Sequence, residues 1–337
     1  MRAAFYEGQQ HIRLGECMPI APKAGEVQIK VSHCGICGTD LHIFHGVMDK
    51  RVTFPQIMGH EASGTVSVIG KGVEGLEVGQ AVAVMPLDWC NDCPACVAGH
   101  QHICQNLKFL GIDTPGAFQS YWTVPAHTLH KLPSHLTLAH GAMIEPLAVA
   151  CHDIRLGRVQ AGEQVVVLGG GPIGILIALV AQQLGARVLV SEINPFRLQL
   201  ARDLRLEAIN PLEADLVAYV NTQTKTAGAD VIFEVTGVQA AASVMTDLAR
   251  TRGRIVMVAI HGQRREVDLF QFFWRELEMI GARVYEHEDF AQAIELAASG
   301  SIPLDKIITD IRPLSDLKAG FKQMEGGGSV MKILLEA

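Results

Sequence analysis

The alternation of hydrophobic and polar positions changes its character near residue 150 of the chain. Before that point, short alternating or apolar runs such as residues 27–31 and 81–85 are separated by turn clusters such as residues 22–25, a pattern that predicts β-strands. After it, apolar strands alternate with glycine turns and helical patterns, which predicts βαβ units in a parallel sheet with helices on both faces. An α/β protein with a β-rich N-terminal region is therefore expected.

The individual elements of the second region follow from their periodicity. Strands are predicted at residues 164–168, 187–191, 230–235 and 254–259, and helices at residues 173–184, 195–204 and 240–249. The C-terminal residues predict helices at 288–299 and 314–324 and a closing strand at 330–335. No repeat of fixed period is visible, and the three glycines at residues 326–328 are expected to form a turn.

Composition supports a folded chain and argues against several classes of partner. Of 337 residues, 49% are hydrophobic and 19% are charged, which is typical of globular proteins, and the length suggests two domains of about 150 residues each. A net charge of −7 without a basic run argues against nucleic acid and anionic membranes as partners. No signal-peptide pattern is visible, so a cytoplasmic location is expected.

One uncharged stretch, residues 164–186, is long enough to cross a bilayer. Its interior contains Gly169, Gly170, Gly171 and Pro172 in succession, which would break a membrane helix in the middle. A buried strand, a glycine turn and a buried helix explain the stretch better, and no membrane span is predicted.

Four of the eight cysteines are closely spaced, in the pattern Cys-x2-Cys-x2-Cys-x7-Cys formed by Cys90, Cys93, Cys96 and Cys104. Four thiolates at such spacing can wrap one tetrahedral Zn²⁺ in a closed, structural site. An iron–sulfur cluster and two disulfides are the alternatives, the second disfavoured in a reducing cytoplasm. Because a closed site leaves no position for substrate, this site is expected to stabilise a loop and to do no chemistry.

A second set of metal-binding residue types is spread through the N-terminal region. Cys37 lies in GICGTDLH, His60 and Glu61 lie in MGHEASG, and Glu145 lies in MIEPLA. Each of these residues alone would be ordinary. Together, one cysteine, one histidine and nearby carboxylates are typical of a three-ligand zinc site with an open coordination position.

A glycine-rich turn follows the predicted strand at residues 164–168. Gly169, Gly171 and Gly174 form GxGxxG between that strand and an apolar helix, the context in which this motif binds a dinucleotide diphosphate. The cofactor-binding residues predicted in the turn and helix start are Gly169, Gly171, Pro172, Ile173 and Gly174. Glu192 ends the next strand, where an acidic side chain accepts hydrogen bonds from ribose hydroxyls, so NAD is favoured over NADP. Arg197 tempers this preference, because an arginine there can hold a phosphate; the alternative is a surface helix residue.

These motifs, in this order, resemble the zinc-dependent medium-chain dehydrogenase/reductase family, and EPLAVA around Glu145 resembles its sorbitol, L-idonate and L-galactonate dehydrogenase branch. The resemblance covers essentially the whole chain; residues 79–82 read GQAV where the family often has GDRV, a change that touches no ligand. It implies a GroES-like β-barrel catalytic domain in residues 1–150 with a structural-zinc lobe at 88–106. It also implies a Rossmann NAD-binding domain at 151–286 and a return to the catalytic domain at 287–337.

The resemblance also implies roles for individual residues. Cys37 and His60 would hold a catalytic zinc, with Glu61 and Glu145 as direct or water-mediated ligands, so that the chain binds two zinc ions. Thr39 would accept the proton of the substrate hydroxyl and His42 would carry it outward. Asp40 is expected to orient groups around the metal ligands rather than to bind the metal, and Arg283 would contact substrate hydroxyls or a carboxylate, unless it is a structural salt-bridge residue.

The function expected from this resemblance is oxidation of a secondary alcohol of a polyol or sugar acid, with hydride transfer to NAD⁺. The alternatives on the same scaffold are 2,3-butanediol and L-threonine 3-dehydrogenases. A zinc-free quinone or enoyl reductase is disfavoured by the intact ligand set, and a zinc-knuckle nucleic-acid binder by Asp88 and Asp92 beside the cysteines. A homo-oligomer, either a dimer or a tetramer, is expected, with a strand near residues 278–282 as a candidate pairing edge.

Overall fold

The computed structural model describes all residues, Met1–Ala337. The chain forms two compact units: the first comprises Met1–Glu145, Glu286–Gly300 and Leu304–Ala337, and the second comprises Pro146–Tyr285 and Ser301–Pro303. The first unit is thus discontinuous in sequence. Its first segment ends at Glu145 and its second begins at Glu286, and residues 301–303 within the C-terminal part belong to the second unit.

The strands and helices are numbered in chain order. The strands are β1 Arg2–Tyr6, β2 Ile12–Glu16, β3 Glu26–Gly35, β4 Gln56–Ile57, β5 Glu61–Ile69, β6 Ala81–Val84, β7 Leu87–Asp88, β8 Lys108–Phe109, β9 Tyr121–Pro125, β10 Leu129–Lys131, β11 Gln164–Leu168, β12 Arg187–Ser191, β13 Glu207–Ile209, β14 Ala229–Glu234, β15 Ala249–Met257, β16 Glu278–Gly281, β17 Ile308–Pro313 and β18 Lys332–Glu336. The helices are α1 Gly38–Phe44, α2 Pro94–Val97, α3 Leu138–Gly141, α4 Ile144–Leu156, α5 Pro172–Gln183, α6 Pro195–Asp203, α7 Leu216–Gln223, α8 Gln239–Leu248, α9 Leu269–Arg275, α10 His287–Ser299, α11 Leu304–Ile307 and α12 Leu317–Glu325. Short 3₁₀ turns lie at Gln101–Ile103, Ala126–Thr128 and Leu314–Asp316.

The first unit is built around a seven-stranded sheet in the order β10-β6-β5-β3-β18-β17, with β9 also paired to β3. Alternate residues of β3 (Val27, Ile29 and Val31) are completely buried, as the predicted alternation requires. Gly64 of β5 lies opposite Val31, and a side chain there would meet the Lys30 carbonyl oxygen at 2.2 Å. The C-terminal strand β18 pairs antiparallel with β3, so the end of the chain lies beside the strand that leads to Cys37.

The second unit contains a six-stranded parallel sheet in the order β13-β12-β11-β14-β15-β16. Val166 and Leu168 of β11 pack in a core with residues of α7 and α8, whereas Val167 faces α5 near Gly174. Because successive side chains of a strand point to opposite faces, helices cover both faces of this sheet. The expected doubly wound fold is confirmed, and β16 lies at the sheet edge as predicted.

Most predicted elements are found within a few residues of their expected bounds. Strands β11 and β12 have the predicted bounds, and the uncharged stretch at 164–186 is a strand, a turn and helix α5. The predicted helix at 314–324 begins with a 3₁₀ turn before α12. Elements β13, α7 and α9 were not predicted, since β13 has only three residues and α9 buries none of its side chains. None of the helices combines the length and apolar character needed to cross a bilayer.

Candidate active site and metal centres

The four spaced cysteines lie together in a loop of the first unit. Their sulfur atoms all lie within 4.8 Å of one another, and Cys104 Sγ is 3.8 Å from Cys93 Sγ and 3.4 Å from Cys90 Sγ. Sulfurs bound to one tetrahedral zinc at about 2.3 Å lie about 3.8 Å apart, so the cluster fits a single ion. All four are free cysteines, as a metal site requires.

Backbone amides surround these sulfurs as expected for thiolates. The N–H groups of Cys90 and Asn106 donate to Cys104 Sγ at 3.4 and 3.3 Å, and the N–H of Gln105 donates to Cys93 Sγ at 3.4 Å. Such donors, from Cys96 and Gln105, lower the pKa of the Cys93 thiol to about 6. At Cys93 the loop therefore favours the ionised sulfur that zinc binds, whereas burial raises the pKa of the Cys96 thiol to about 12.

A second cluster in the first unit brings Cys37, His60 and Glu61 together. One donor atom from each lies within 4.8 Å of the others, and His60 and Glu61 are buried. Cys37 precedes α1 in extended conformation, and His60 and Glu61 are adjacent at the start of β5. One sulfur, one imidazole and one carboxylate around a common point fit a zinc site with an open position.

Two glycines allow this close packing. Gly59, which precedes His60, has φ +90°, and a side chain there would meet the Phe118 ring at 2.6 Å. A side chain at Gly35 would meet Glu61 Oε2 at 2.1 Å. The turn before His60 and the end of β3 therefore require glycine for Glu61 to reach its position.

Asp40, in the first turn of α1, is completely buried and contacts two members of the cluster, Cys37 and His60. Its Oδ2 accepts a hydrogen bond from the backbone N–H of Cys37 at 2.9 Å, and its Oδ1 lies 3.7 Å from His60 Nδ1. Burial by itself lowers the pKa of His60, but the negative charges of Asp40, Cys37 and Glu145 outweigh burial and raise it to about 10. This is the arrangement expected of a carboxylate that orients a metal-binding histidine.

Lys332 of β18 completes the surroundings of Glu61, and sequence reasoning missed it. The side chain is 2% exposed, and its ammonium group forms an ion pair with Glu61 Oε2 and donates to the Ile36 carbonyl oxygen at 3.0 Å. Burial lowers the pKa of Lys332, but the charges of Glu61 and Cys37 raise it above its usual range. A lysine within the apolar closing strand, MKILLE, was the available signal.

The remaining predicted residues of the first unit lie around this cluster. Glu145 is buried at the start of α4 and contributes to the raised pKa values of His60 and Lys332, although the three-residue cluster contains Glu61 in its place. Thr39 is half-buried in the first turn of α1, and His42 is exposed one turn later. Residues three apart share a face of a helix, so half-buried Thr39 and exposed His42 lie next to each other on one face of α1.

The glycine-rich turn lies in the second unit, between β11 and α5. Gly169 has φ +109°, and a side chain at Gly174 would meet the Gly169 carbonyl oxygen at 1.9 Å. Helix α5 begins at Pro172, and Gly171 before it provides no side-chain cap, so the first amides of α5 remain available to a diphosphate. The predicted dinucleotide-binding turn is therefore formed.

Glu192 and Arg197 lie next to this turn. The Glu192 carboxylate is buried and accepts hydrogen bonds from the N–H groups of Gly170 at 2.8 Å, Ile193 at 2.8 Å and Asn194 at 2.7 Å. A guanidinium nitrogen of Arg197 lies 3.7 Å from the position that a side-chain carbon at Gly171 would occupy. Both an acidic and a basic group therefore border the cofactor turn.

Arg283 follows β16 in the second unit and is exposed. The carboxyl ends of parallel strands share one edge of a sheet, and ligands of α/β proteins bind at this edge. Arg283 and the glycine turn after β11 are both placed at that edge by the sheet order.

Comparisons with known proteins agree with this arrangement. Residues 23–134 match the family model of the alcohol dehydrogenase GroES-like domain, and residues 172–299 match that of zinc-binding dehydrogenases. The chain is 58% identical over 336 residues to a 2-dehydro-3-deoxy-L-galactonate 5-dehydrogenase of Pseudoalteromonas atlantica, covering 100% of this chain and 98% of the relative. It is 33% identical to an L-galactonate-5-dehydrogenase of Escherichia coli, with coverage of 90% and 88%.

A similar structure is also known. A zinc-binding dehydrogenase of Sinorhizobium meliloti bound to NADP superposes with a TM-score of 0.94 at 30% identity, covering 100% of this chain and 99% of the other. These matches confirm the predicted GroES-like and Rossmann architecture and the assignment to the zinc-dependent medium-chain dehydrogenases. The chain belongs to the zinc-binding dehydrogenase family and is an NAD(P)-dependent alcohol or polyol dehydrogenase of the polyol and sugar-acid branch.

Proposed function

We propose that the chain oxidises a secondary hydroxyl group of a sugar acid of the 2-dehydro-3-deoxy-L-galactonate class, with NAD⁺ as the hydride acceptor. The observation that carries the substrate class is the 58% identity, over the whole chain, to a dehydrogenase of that substrate. The open cluster of Cys37, His60 and Glu61 supports the reaction type, because three protein ligands leave a position for the hydroxyl oxygen. The substrate is thus a small anionic molecule.

Several residues of the first unit have separate roles in the proposed reaction. Cys37, His60 and a carboxylate from Glu61 or Glu145 hold the catalytic zinc, and Asp40 orients His60. Bound zinc supplies a Lewis acid that lowers the pKa of the substrate hydroxyl, and bound nicotinamide accepts the hydride. Thr39 accepts the hydroxyl proton, and His42 passes it to solvent; histidine suits this step because its unperturbed pKa is near neutrality. Cys90, Cys93, Cys96 and Cys104 hold the structural zinc.

The proposed function is tested by measuring NAD⁺ reduction, or NADH oxidation in the reverse direction, with a panel of substrates. The panel contains 2-dehydro-3-deoxy-L-galactonate, L-galactonate, hexitols, 2,3-butanediol and L-threonine. The highest kcat/KM is expected for the deoxy sugar acid, followed by L-galactonate. Activity confined to 2,3-butanediol or L-threonine would contradict the sugar-acid assignment and support the alternative on the same scaffold.

Arg283 is proposed to bind the substrate carboxylate. Replacing Arg283 with alanine should lower kcat/KM for sugar acids by about 10- to 100-fold, because a hydrogen bond to a charged group contributes about 1.5–3 kcal/mol. Neutral hexitols should be affected less. Arg187 is a matched control, because it is also exposed but lies at the amino end of β12, away from the ligand-binding edge. Equal losses for charged and neutral substrates would exclude carboxylate recognition by Arg283.

Glu192 is proposed to bind the adenosine ribose and to make NAD the preferred cofactor. The substitution Glu192→Ala should raise the ratio of kcat/KM with NADP⁺ to kcat/KM with NAD⁺ by at least about tenfold, since it removes a negative charge that repels the 2′-phosphate. Glu192→Gln is the control for structure, because the amide oxygen can still accept from the backbone N–H groups of the turn. An unchanged ratio in both variants would mean that another group, such as Arg197, selects the cofactor.

The two units are proposed to act as a split catalytic domain, residues 1–150 and 287–337, and a cofactor domain, residues 151–286.

We also propose that the chain assembles as a dimer or tetramer through the β16 edge and helix α9. Phe273 and Trp274 of α9 are 79% and 70% exposed, and exposed aromatic patches of this kind mark protein interfaces. Light scattering should give a mass of two or four chains, and Trp274→Glu should shift it towards one. An unchanged mass would place the interface elsewhere.

A further inference from the structure

A third group of metal-binding side chains lies in the first unit, outside the two zinc clusters. His100 and His102 belong to the cysteine loop, around the 3₁₀ turn Gln101–Ile103, and Glu286 immediately precedes α10. One donor atom from each lies within 4.8 Å of the others. One loop supplies the two histidines and a distant part of the sequence supplies Glu286, and none of the three has a role in the proposed reaction.

The distances within this group suit one transition-metal ion. Glu286 Oε1 lies 3.4 Å from His102 Nδ1 and 3.7 Å from His100 Nδ1. Nitrogen and oxygen ligands bound to tetrahedral zinc at about 2.0–2.2 Å lie about 3.3–3.6 Å apart. The observed separations therefore require only small side-chain adjustments to accept an ion between the three donors.

The group combines a buried histidine with access from solvent. His102 is 8% exposed, whereas the His100 ring is exposed. A cavity of about 250 Å³ is lined by His102, Glu286 and Glu288, among others, so that water can fill a remaining coordination position. The two carboxylates also make this cavity attractive to a cation.

The chemistry of the donors selects the class of ion. Imidazole nitrogens suit Zn²⁺, Ni²⁺ and Cu²⁺, whereas Ca²⁺ and Mg²⁺ take oxygen ligands. We propose that His100, His102 and Glu286 bind a divalent transition-metal ion of the zinc class, with water in the open position. The ion would join the cysteine loop to the start of α10 and so stabilise the first unit, at a place separate from the reacting atoms.

The test is a zinc titration of the holoenzyme that retains its two tightly bound ions after treatment with a weak chelator. Calorimetry and elemental analysis should show one additional zinc per chain in the parent protein. His100→Ala and Glu286→Gln should each weaken this binding at least tenfold, equivalent to about 1.4 kcal/mol. The glutamine keeps an oxygen that can accept at the start of α10, so its loss of binding reports on the metal ligand and not on the helix cap.

Melting temperatures provide a second readout, because an ion that binds only the folded chain raises its stability. Added zinc should raise the melting temperature of the parent and leave that of the His100→Ala and Glu286→Gln variants unchanged. His11→Ala is the matched control, since the exposed His11 ring also contacts a single carboxylate, Glu7, at 2.9 Å. Absence of an additional bound zinc in the parent, or variants that bind as the parent does, would overturn the proposal.

Discussion

Replacing Cys37 with serine should remove one zinc ion per chain and lower turnover about a thousandfold or more. The sulfur of Cys37 is one of three donor atoms that lie within 4.8 Å of one another, and serine offers a far weaker zinc ligand. A Lewis acid contributes several kcal/mol to the stabilisation of developing charge, and about 4 kcal/mol corresponds to a thousandfold change in rate. Elemental analysis and kcat measured on the same preparation test both parts of the prediction.

Two other cysteines serve as controls for this experiment. Cys17 is half-buried like Cys37 but belongs to neither cluster, so Cys17→Ser should keep both zinc ions and full activity. Cys93→Ser should lose the other zinc and destabilise the loop that Cys93 helps to form. If Cys37→Ser retains its zinc and its turnover, the catalytic assignment of this cluster is wrong.

Features that depend on local sequence were predictable. The strand, glycine turn and helix at residues 164–183 were predicted because GxGxxG between two apolar segments has few other conformations. The cysteine cluster was also predictable, because short loops separate its four thiols and cannot place them far apart. The association of Cys37 with His60 and Glu61 was suggested by their residue types and supported by resemblance, because nothing local shows that β3 and β5 are neighbours.

Features that depend on long-range pairing were missed. Lys332 reaches Glu61 only because β18 pairs with β3, which lies at the other end of the sequence. The residues of a strand do not by themselves determine which strand it pairs with. Likewise, α9 was not predicted, because five of its seven residues are apolar and most of these are exposed, so the segment has no clear division into an apolar and a polar face. The group of His100, His102 and Glu286 is a third case, since two loops distant in sequence supply it.

The pairing of Lys332 with Glu61 leads to the second large prediction. Replacing Lys332 with methionine should lower the free energy of unfolding by about 3–5 kcal/mol, because removal of one partner of a buried ion pair leaves the other charge uncompensated. Both side chains are about 2% exposed, so solvent cannot replace the lost ammonium group. Urea unfolding of the holoenzyme, followed by circular dichroism, measures the change.

A double substitution separates this charge effect from a packing effect. Methionine keeps most of the volume of lysine, so if the loss is electrostatic, combining Lys332→Met with Glu61→Gln should recover a large part of it, and the two substitutions should be strongly non-additive. Lys30→Met is the matched control, because Lys30 is an exposed lysine of β3 in the same sheet and should change stability by no more than about 0.5 kcal/mol. A double variant no more stable than Lys332→Met alone would show that Lys332 acts through packing. Recovery of stability in the double variant would establish that β18 supplies the counter-charge of the Glu61 carboxylate, which holds that carboxylate beside Cys37 and His60.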